Sequence, residues 1–330
     1  MEEYRTLKLN LLATQYTNDC NTERQRIQRQ ITRIRQTRPI NMSILISSLL
    51  MSLNRYLAAR LEKYNRDAQT IKDKVPPTIA ITGAKRALLV GINYANTSNE
   101  LYGCINDVTA IKERLVSKGF ATNQITTLTD FTEMKPTRAS ILNEFKKMLV
   151  QSNSGDLLVF AYSGHGSYVR DMNGDETDGN DEVICPIDNA IIKDDELKKL
   201  IQLYLKKNVT LFALFDCCFS GTILDLRYQY MDSLQYDKFT ENSRQLETVG
   251  NVILISGCTD RQTSADAFID RRSSGAMTWS LLDTLNKSQS TISWTTLVQT
   301  MRARLKESQF EQIPQLSSGM LLDEDASIFI

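Results

Sequence analysis

The chain has 330 residues, 42% hydrophobic and 24% charged, with 14 glycines and 6 prolines. This is ordinary globular usage, which excludes a disordered or fibrous chain and allows one large domain or a domain with an extension. The net charge of zero conceals a split: residues 1–83 hold 14 Lys and Arg against 7 Asp and Glu, leaving 25 against 32 for residues 84–330.

The opening Met1-Glu2-Glu3-Tyr4-Arg5 lacks the order of a secretory signal. From Tyr4 to Asp73 the pattern is helical, rich in Arg, Gln, Leu and Ile, without glycine and with proline only at Pro39. Ile27, Ile31 and Ile34 fall at i, i+4, i+7, and Ile46, Leu49, Leu50, Leu53, Leu57 and Leu61 continue a stripe after Pro39, which predicts two helices broken near that proline. The most apolar stretch, Met42 to Leu53, is well short of the roughly twenty residues a bilayer span needs, so no membrane span is predicted. The basic run Arg24 to Arg38 is of a kind that contacts nucleic acid or acidic lipid, but a solvated helix face is the plainer reading, and nucleic-acid binding is the less favoured use of this arm. Pro76-Pro77 marks a linker, because proline lacks the amide a helix needs and restricts its predecessor. Residues 1–83 are therefore read as a basic helical extension and 84–330 as the main domain.

Beyond the linker, Arg86 to Asn93, Asp156 to Tyr162, Val209 to Phe215 and Asn251 to Ser256 are apolar without alternation, the mark of strands buried on both faces. Asp107 to Lys118, Arg138 to Gln151, Asp195 to Lys206 and Thr278 to Leu285 read as helices between them. Strand alternating with helix predicts a largely parallel α/β sheet covered on both faces, with chemistry collected past the carboxyl ends of the strands.

Two of those ends carry unusual residues. The strand ending at Tyr162 runs into Ser163-Gly164-His165-Gly166, and His165 is the only histidine in the chain, so any imidazole base is this one. The strand ending at Phe215 runs into Asp216-Cys217-Cys218-Phe219-Ser220-Gly221. A cysteine on a strand-end turn beside a histidine meets the requirements for a thiolate nucleophile, since imidazole lowers the thiol pKa and returns the proton to a leaving amine. Six cysteines with Cys217 and Cys218 adjacent do not make a disulfide framework, and a reducing, cytoplasmic setting is expected.

Tyr162 to Gly166 and Asp216 to Gly221, with Gly103-Cys-Ile-Asn-Asp107 upstream, resemble the metacaspases, the calcium-dependent cysteine proteases of the caspase clan. The resemblance covers residues 84–330 and implies a caspase-like (caspase-hemoglobinase) three-layer sandwich, with a large-subunit-like part over 84–225, a connecting loop over 226–249 and a small-subunit-like part over 250–330. It places the catalytic base on His165 and the nucleophile on Cys218, with Cys217 a neighbour, and it points to the backbone amides of Gly166 and Cys218 as the oxyanion hole. It implies cleavage of protein or peptide substrates after Arg or Lys, with Asp107 and Asp216 as pocket carboxylates and Cys104 and Ser163 lining the pocket. Without the resemblance, Asp107 reads as a helix N-cap and Asp216 as a turn former.

The run Asp171 to Glu182 holds six acidic residues in twelve but fails as an EF-hand loop, because Glu176 stands where the invariant glycine belongs. The resemblance places calcium ligands on Asp181, Asp194, Asp195 and Asp225, so Ca2+ is the expected cofactor. One histidine and no Cys-x-x-Cys pair disfavour zinc. Phe219 departs from the family's histidine after the nucleophile. The extension is read as a prodomain that covers the groove and is cut after Arg66 or Lys74, or as a partner-binding arm; Lys238 and Arg244 are expected autocleavage positions, and the resemblance implies a monomer. The competing reading is a catalytically silent scaffold that binds partners through its helical arm.

Overall fold

The computed structural model describes residues 2–171, 179–218, 221, 223–232, 238–257, 266–269, 272–288, 291–310, 312–323 and 326–330. Two compact units emerge, Met1–Val75 and Pro76–Ile330.

The first unit is a helical hairpin of α1 (Glu2–Thr37) and α2 (Met42–Asp73). The break falls where the sequence demands: α1 ends two residues before Pro39, and Arg38 turns the chain through a left-handed φ of 45°. The two helices run antiparallel, with the Tyr16 and Tyr64 rings 5.0 Å apart and Asp19 paired to Arg60. Cys20, Ile27, Ile31 and Ala68 are buried along the seam, and the spacing of seven and four in α1 is that of coiled-coil packing. Among the described residues, α2 is the one helix long and apolar enough to cross a membrane by length and composition, with an 18-residue window of mean hydropathy 1.3. The expectation of no span rested on the length of Met42 to Leu53; that run is apolar enough to keep an 18-residue average high even though Asn54 and Arg55 follow it.

In the second unit, the main sheet has eight strands among the described residues, in the order β2-β1-β3-β7-β10-β13-β8-β9. These are β1 (Lys85–Gly91), β2 (Ile125–Thr129), β3 (Leu157–Ser163), β7 (Thr210–Asp216), β8 (Tyr228–Asp232), β9 (Lys238–Glu241), β10 (Asn251–Ser256) and β13 (Gln315–Ser318). The five from β2 to β10 are mutually parallel, and β13, β8 and β9 add antiparallel. A second sheet pairs β4 (Gly166–Arg170), β5 (Asn180–Ile184) and β6 (Ile192–Lys193), and a third pairs β11 (Asp266–Ile269) with β12 (Arg272–Gly275). The helices are α3 (Cys104–Ser117), α4 (Arg138–Gln151), α5 (Asp194–Tyr204), α6 (Ala276–Lys287) and α7 (Trp294–Glu307).

Continuous apolar runs become central strands because both faces are covered: every residue of β3 and β7 is buried. Phe160 links the layers, stacking on Phe145 of α4 at 4.6 Å and edge-on to Phe215 of β7 at 5.3 Å. Each such buried ring contributes on the order of 2 kcal/mol through area alone. A Cβ on Gly91 would come within 2.5 Å of the Cys104 carbonyl oxygen, so the glycine lets the start of α3 press against the end of β1. That contact carries Asp107 to the sheet's carboxyl edge.

The stretch 226–249, expected as a connection, forms β8 and β9 on the far sheet edge, where Arg227 of the turn binds Glu241 at 2.8 Å. Asp107 is not an N-cap: it is the fourth residue of α3, Gly103 caps the helix, and Asp107 is buried.

Candidate active site

The register of the sheet assembles the site. β3 and β7 are parallel neighbours with Ser163 opposite Asp216, so the chain leaves both strands at the same level. His165 and Cys218 each lie two residues further on, and both are half-buried. A Cβ on Gly166 would collide with the carbonyl oxygen of Cys218 and approach the Cys217 sulfur to 3.2 Å. The glycine after the histidine thus lets the two strand-end turns touch. Cys217 points inward and is 1% exposed, as expected of a structural neighbour. None of the five described cysteines is in a disulfide.

His165 is held from several sides. Its amide donates to the Tyr94 hydroxyl at 2.9 Å, and its carbonyl accepts from the Tyr162 hydroxyl at 2.8 Å. The Tyr94 ring lies 4.7 Å from the imidazole, and the Tyr94 hydroxyl also donates to the Cys185 carbonyl at 2.6 Å. The imidazole Nε2 lies 2.8 Å from the backbone carbonyl oxygen of Asn99. A carbonyl only accepts, so Nε2 carries the proton and Nδ1 the lone pair. The Cys185 amide reaches the His165 carbonyl at 3.1 Å, and burial together with the nearby charge of Cys218 pushes the Cys185 thiol up.

Beside this pair lie the expected pocket residues. Asp107 accepts from the Ser163 hydroxyl at 2.7 Å, from the Ser274 hydroxyl at 2.5 Å and from the Gly275 amide at 3.0 Å. Asp216 accepts from the Thr278 amide at 2.8 Å. Burial first, and the charge of Asp216 second, push the Asp107 carboxyl up to about 7. Cys104, one helical turn before Asp107, is buried with it at the start of α3. Cys104, Asp107, Ser163 and Asp216 thus form one buried acidic group beside the turns bearing His165 and Cys218.

A second carboxylate cluster stands at the junction of β5, β6 and α5. Single carboxylate oxygens of Asp181, Asp194 and Asp195 lie within 4.8 Å of one another. Asp225, buried and in a left-handed conformation at φ 47°, joins them electrostatically: burial, then its charge, push Asp194 up to about 7. Lys193 reaches Asp181 at 2.5 Å and Lys198 reaches Asp225 at 3.1 Å. Four carboxylates partly offset by two ammonium groups make an all-oxygen donor set, which fits a hard divalent cation better than zinc. Most of the acidic run, 172–178, lies outside the described residues, as does Phe219.

Tyr94, Asn99, Ser274 and Gly275 escape sequence reasoning. Asn99 and Gly275 act through backbone groups, which leave no residue-type signal. Tyr94 and Ser274 are brought in from distant segments.

Residues 85–227 match the family model "Metacaspase, peptidase C14 domain". "Metacaspase-1" of the yeast Meyerozyma guilliermondii is 34% identical over 289 residues, covering 72% of this chain and 70% of that protein. "Metacaspase-3" of Trypanosoma brucei brucei is 36% identical over 260 residues, covering 73% and 72%. Among solved structures, a Geobacter sulfurreducens protein superposes with a TM-score of 0.56 at 26% identity, over 73% of this chain and 95% of that one. The family fixes the α/β sheet described above as a caspase-like fold and the activity class as cysteine endopeptidase: the chain belongs to the metacaspases.

Proposed function

We propose that this cysteine endopeptidase cleaves protein or peptide substrates after Arg or Lys, with Cys218 as nucleophile and His165 as base. The observation that carries the proposal is the β3–β7 register, which sets both side chains just past one level of the sheet, beside a buried pair of carboxylates.

In the proposed reaction, His165 takes the Cys218 thiol proton on Nδ1 while Nε2–H stays on the Asn99 carbonyl, which also stabilises the imidazolium. Sulfur attacks the scissile carbonyl carbon, and the oxyanion is received by the amides of Gly166 and Cys218. As the C–N bond breaks, His165 returns the proton to the departing amine, leaving a thioester. A water deprotonated by His165 then releases the acid and restores the thiol. For specificity, a P1 guanidinium entering beside Asp107 and Asp216 exchanges the Ser274 and Gly275 donors for its own N–H groups. An apolar or acidic P1 leaves the buried carboxylates poorly paired.

Calcium is the proposed cofactor, held by Asp181, Asp194, Asp195 and Asp225. When bound, the ion would supply charge neutralisation for these carboxylates, and Asp225, seven residues past Cys218 in the sequence, would link the site to the nucleophile. Of the two expected self-cleavage positions, Arg244 is favoured by its exposed segment over Lys238, which is within β9.

The test is hydrolysis of fluorogenic peptides with Arg, Leu or Asp at P1, with calcium or with EGTA, by wild type and Cys218→Ala. Calcium-dependent turnover of the Arg peptide alone, lost in Cys218→Ala, is expected. Equal turnover of all three peptides would remove the specificity reading, and turnover by Cys218→Ala would remove the nucleophile.

A further inference from the structure

We propose that the tip of the α1–α2 hairpin is a docking element that seats on a membrane surface rich in anionic phospholipid. Two independent features of the tip meet there.

The first is apolar exposure. Ile40, in the turn, is 109% exposed, Ile44 is 71% and Met51 58%. Ile44 and Met51 are seven residues apart and share the face of α2 opposite the seam residues Ile46, Leu49 and Leu53, which are partly buried. Leu50, on a flank, is 45% exposed. The start of α2 therefore carries large apolar side chains on its outer face, interleaved with the uncharged Ser47 and Ser48, as well as on its inner one, whereas a helix of a soluble hairpin keeps the outer face charged or polar.

The second is charge. No acidic residue occurs between Glu23 and Glu62, while eight arginines do. Arg26 and Arg60 pair with acids outside that stretch, Glu23 and Asp19. Arg24, Arg29, Arg33, Arg35 and Arg38 are exposed on α1 and at the turn. The pairs Tyr16–Tyr64 and Asp19–Arg60 set the antiparallel register, and it lays Arg33 and Arg35 alongside the first turns of α2. An exposed apolar tip with guanidinium groups immediately behind it matches an anionic bilayer interface, apolar groups below the headgroups and cations level with the phosphates.

The same features argue against a span and against nucleic acid. The uncharged apolar-rich part of α2, Met42 to Leu53, extends about 18 Å at 1.5 Å per residue, against a hydrocarbon core of about 30 Å. Driving α2 deeper would carry the α1 arginines packed along it into hydrocarbon. A nucleic-acid arm has no use for Ile44 and Met51 in water, and no aromatic residue lies between Tyr16 and Tyr56 to stack on a base.

The experiment is flotation of the full chain with vesicles of phosphatidylcholine alone and of phosphatidylcholine mixed with phosphatidylserine, across a salt series. Two variants accompany it, Ile44→Ser/Met51→Ser and Arg29→Gln/Arg33→Gln/Arg35→Gln, each checked for unchanged helix content by circular dichroism. Binding to anionic vesicles is expected to exceed binding to neutral ones by at least about tenfold, to weaken with salt, and to fall about tenfold in each variant. No flotation at low salt overturns the proposal. So does undiminished flotation of Ile44→Ser/Met51→Ser, and in that case a gel shift with RNA reads out the nucleic-acid alternative. Resistance of the bound protein to alkaline carbonate overturns it in favour of a span. Self-association lost in Ile44→Ser/Met51→Ser without vesicle binding overturns it in favour of a hairpin dimer.

Discussion

The Tyr94 hydroxyl accepts the His165 amide N–H at 2.9 Å while its ring lies 4.7 Å from the imidazole. One side chain therefore fixes both the backbone and the ring plane of the proposed base, and its left-handed backbone, φ 51°, holds it there.

Tyr94→Phe keeps the ring and removes the hydroxyl, leaving the His165 amide and the Cys185 carbonyl without that partner. A stability loss of about 1–3 kcal/mol is expected, chiefly from the stranded His165 amide, since the Cys185 carbonyl keeps the Tyr162 hydroxyl at 3.3 Å. A purely structural role ends there. A positioning role also changes the pH dependence of Cys218 alkylation, measured with iodoacetamide, and lowers kcat more than it raises KM. An unchanged alkylation profile would show that Tyr94 does not position the base.

Gly166→Ala tests the touching of the two strand-end turns. The new methyl would collide with the Cys218 carbonyl, and backbone cannot yield as a flexible side chain does. Activity is expected to fall at least about a hundredfold, since a shift of about 1 Å at the reacting groups has that effect. Cys217→Ala, at a buried neighbour, is expected to retain activity within a few-fold while losing roughly 1 kcal/mol of stability. The reverse ranking of the two variants would place the critical geometry at Cys217.

How far the sequence leads is set by where the information sits. β3, β7 and β10 are legible because unbroken apolar runs bounded by helices have one economical fate, the middle of a parallel sheet. β13, Gln-Leu-Ser-Ser, is not, although all four residues are buried. Its serines are tolerated because partners arrive from afar, as when the Ser318 hydroxyl meets that of Tyr230 at 3.3 Å. The same division runs through the site. A unique histidine and a cysteine at strand ends announce themselves, whereas the Asn99 carbonyl and the Gly275 amide contribute groups that every residue owns.

Asp107 predicts a pH signature. Its carboxyl, pushed up to about 7 by burial and by Asp216, is largely neutral in the free enzyme at slightly acid pH. A cationic P1 gains its full partner only after that proton leaves, so kcat/KM for Arg peptides is expected to rise through about pH 7 on a limb that Asp107→Asn lacks. The linkage has the opposite sign for folding. Between the ordinary aspartate pKa of 3.8 and about 7 the folded state binds the proton that the unfolded chain has released. This group's contribution to stability therefore declines as pH rises across that window. Asp107→Asn is expected to flatten that decline in urea melts, and a decline equally steep in the variant would assign it elsewhere.

The proposed calcium site predicts a competition between an ion and two lysines. Lys193 and Lys198 already lie 2.5 Å from Asp181 and 3.1 Å from Asp225, so an incoming cation replaces ammonium groups rather than filling an uncompensated hole. Removing one ammonium raises the energy of the metal-free cluster and leaves the loaded one nearly untouched. Lys198→Gln is thus expected to lower metal-free stability and to shift the calcium midpoint for activation, read by titration against EGTA buffers, to lower concentration. Asp225→Asn removes a proposed ligand and is expected to abolish the thermal stabilisation by calcium, which for wild type is expected to reach about 2.7 kcal/mol at a hundredfold excess over Kd. Because Lys198 and Asp225 are partners in one ion pair, the two substitutions move the calcium response in opposite directions. If both weakened it alike, Lys198 would be supporting the site rather than competing for it, and the ion would bind elsewhere than beside Asp225.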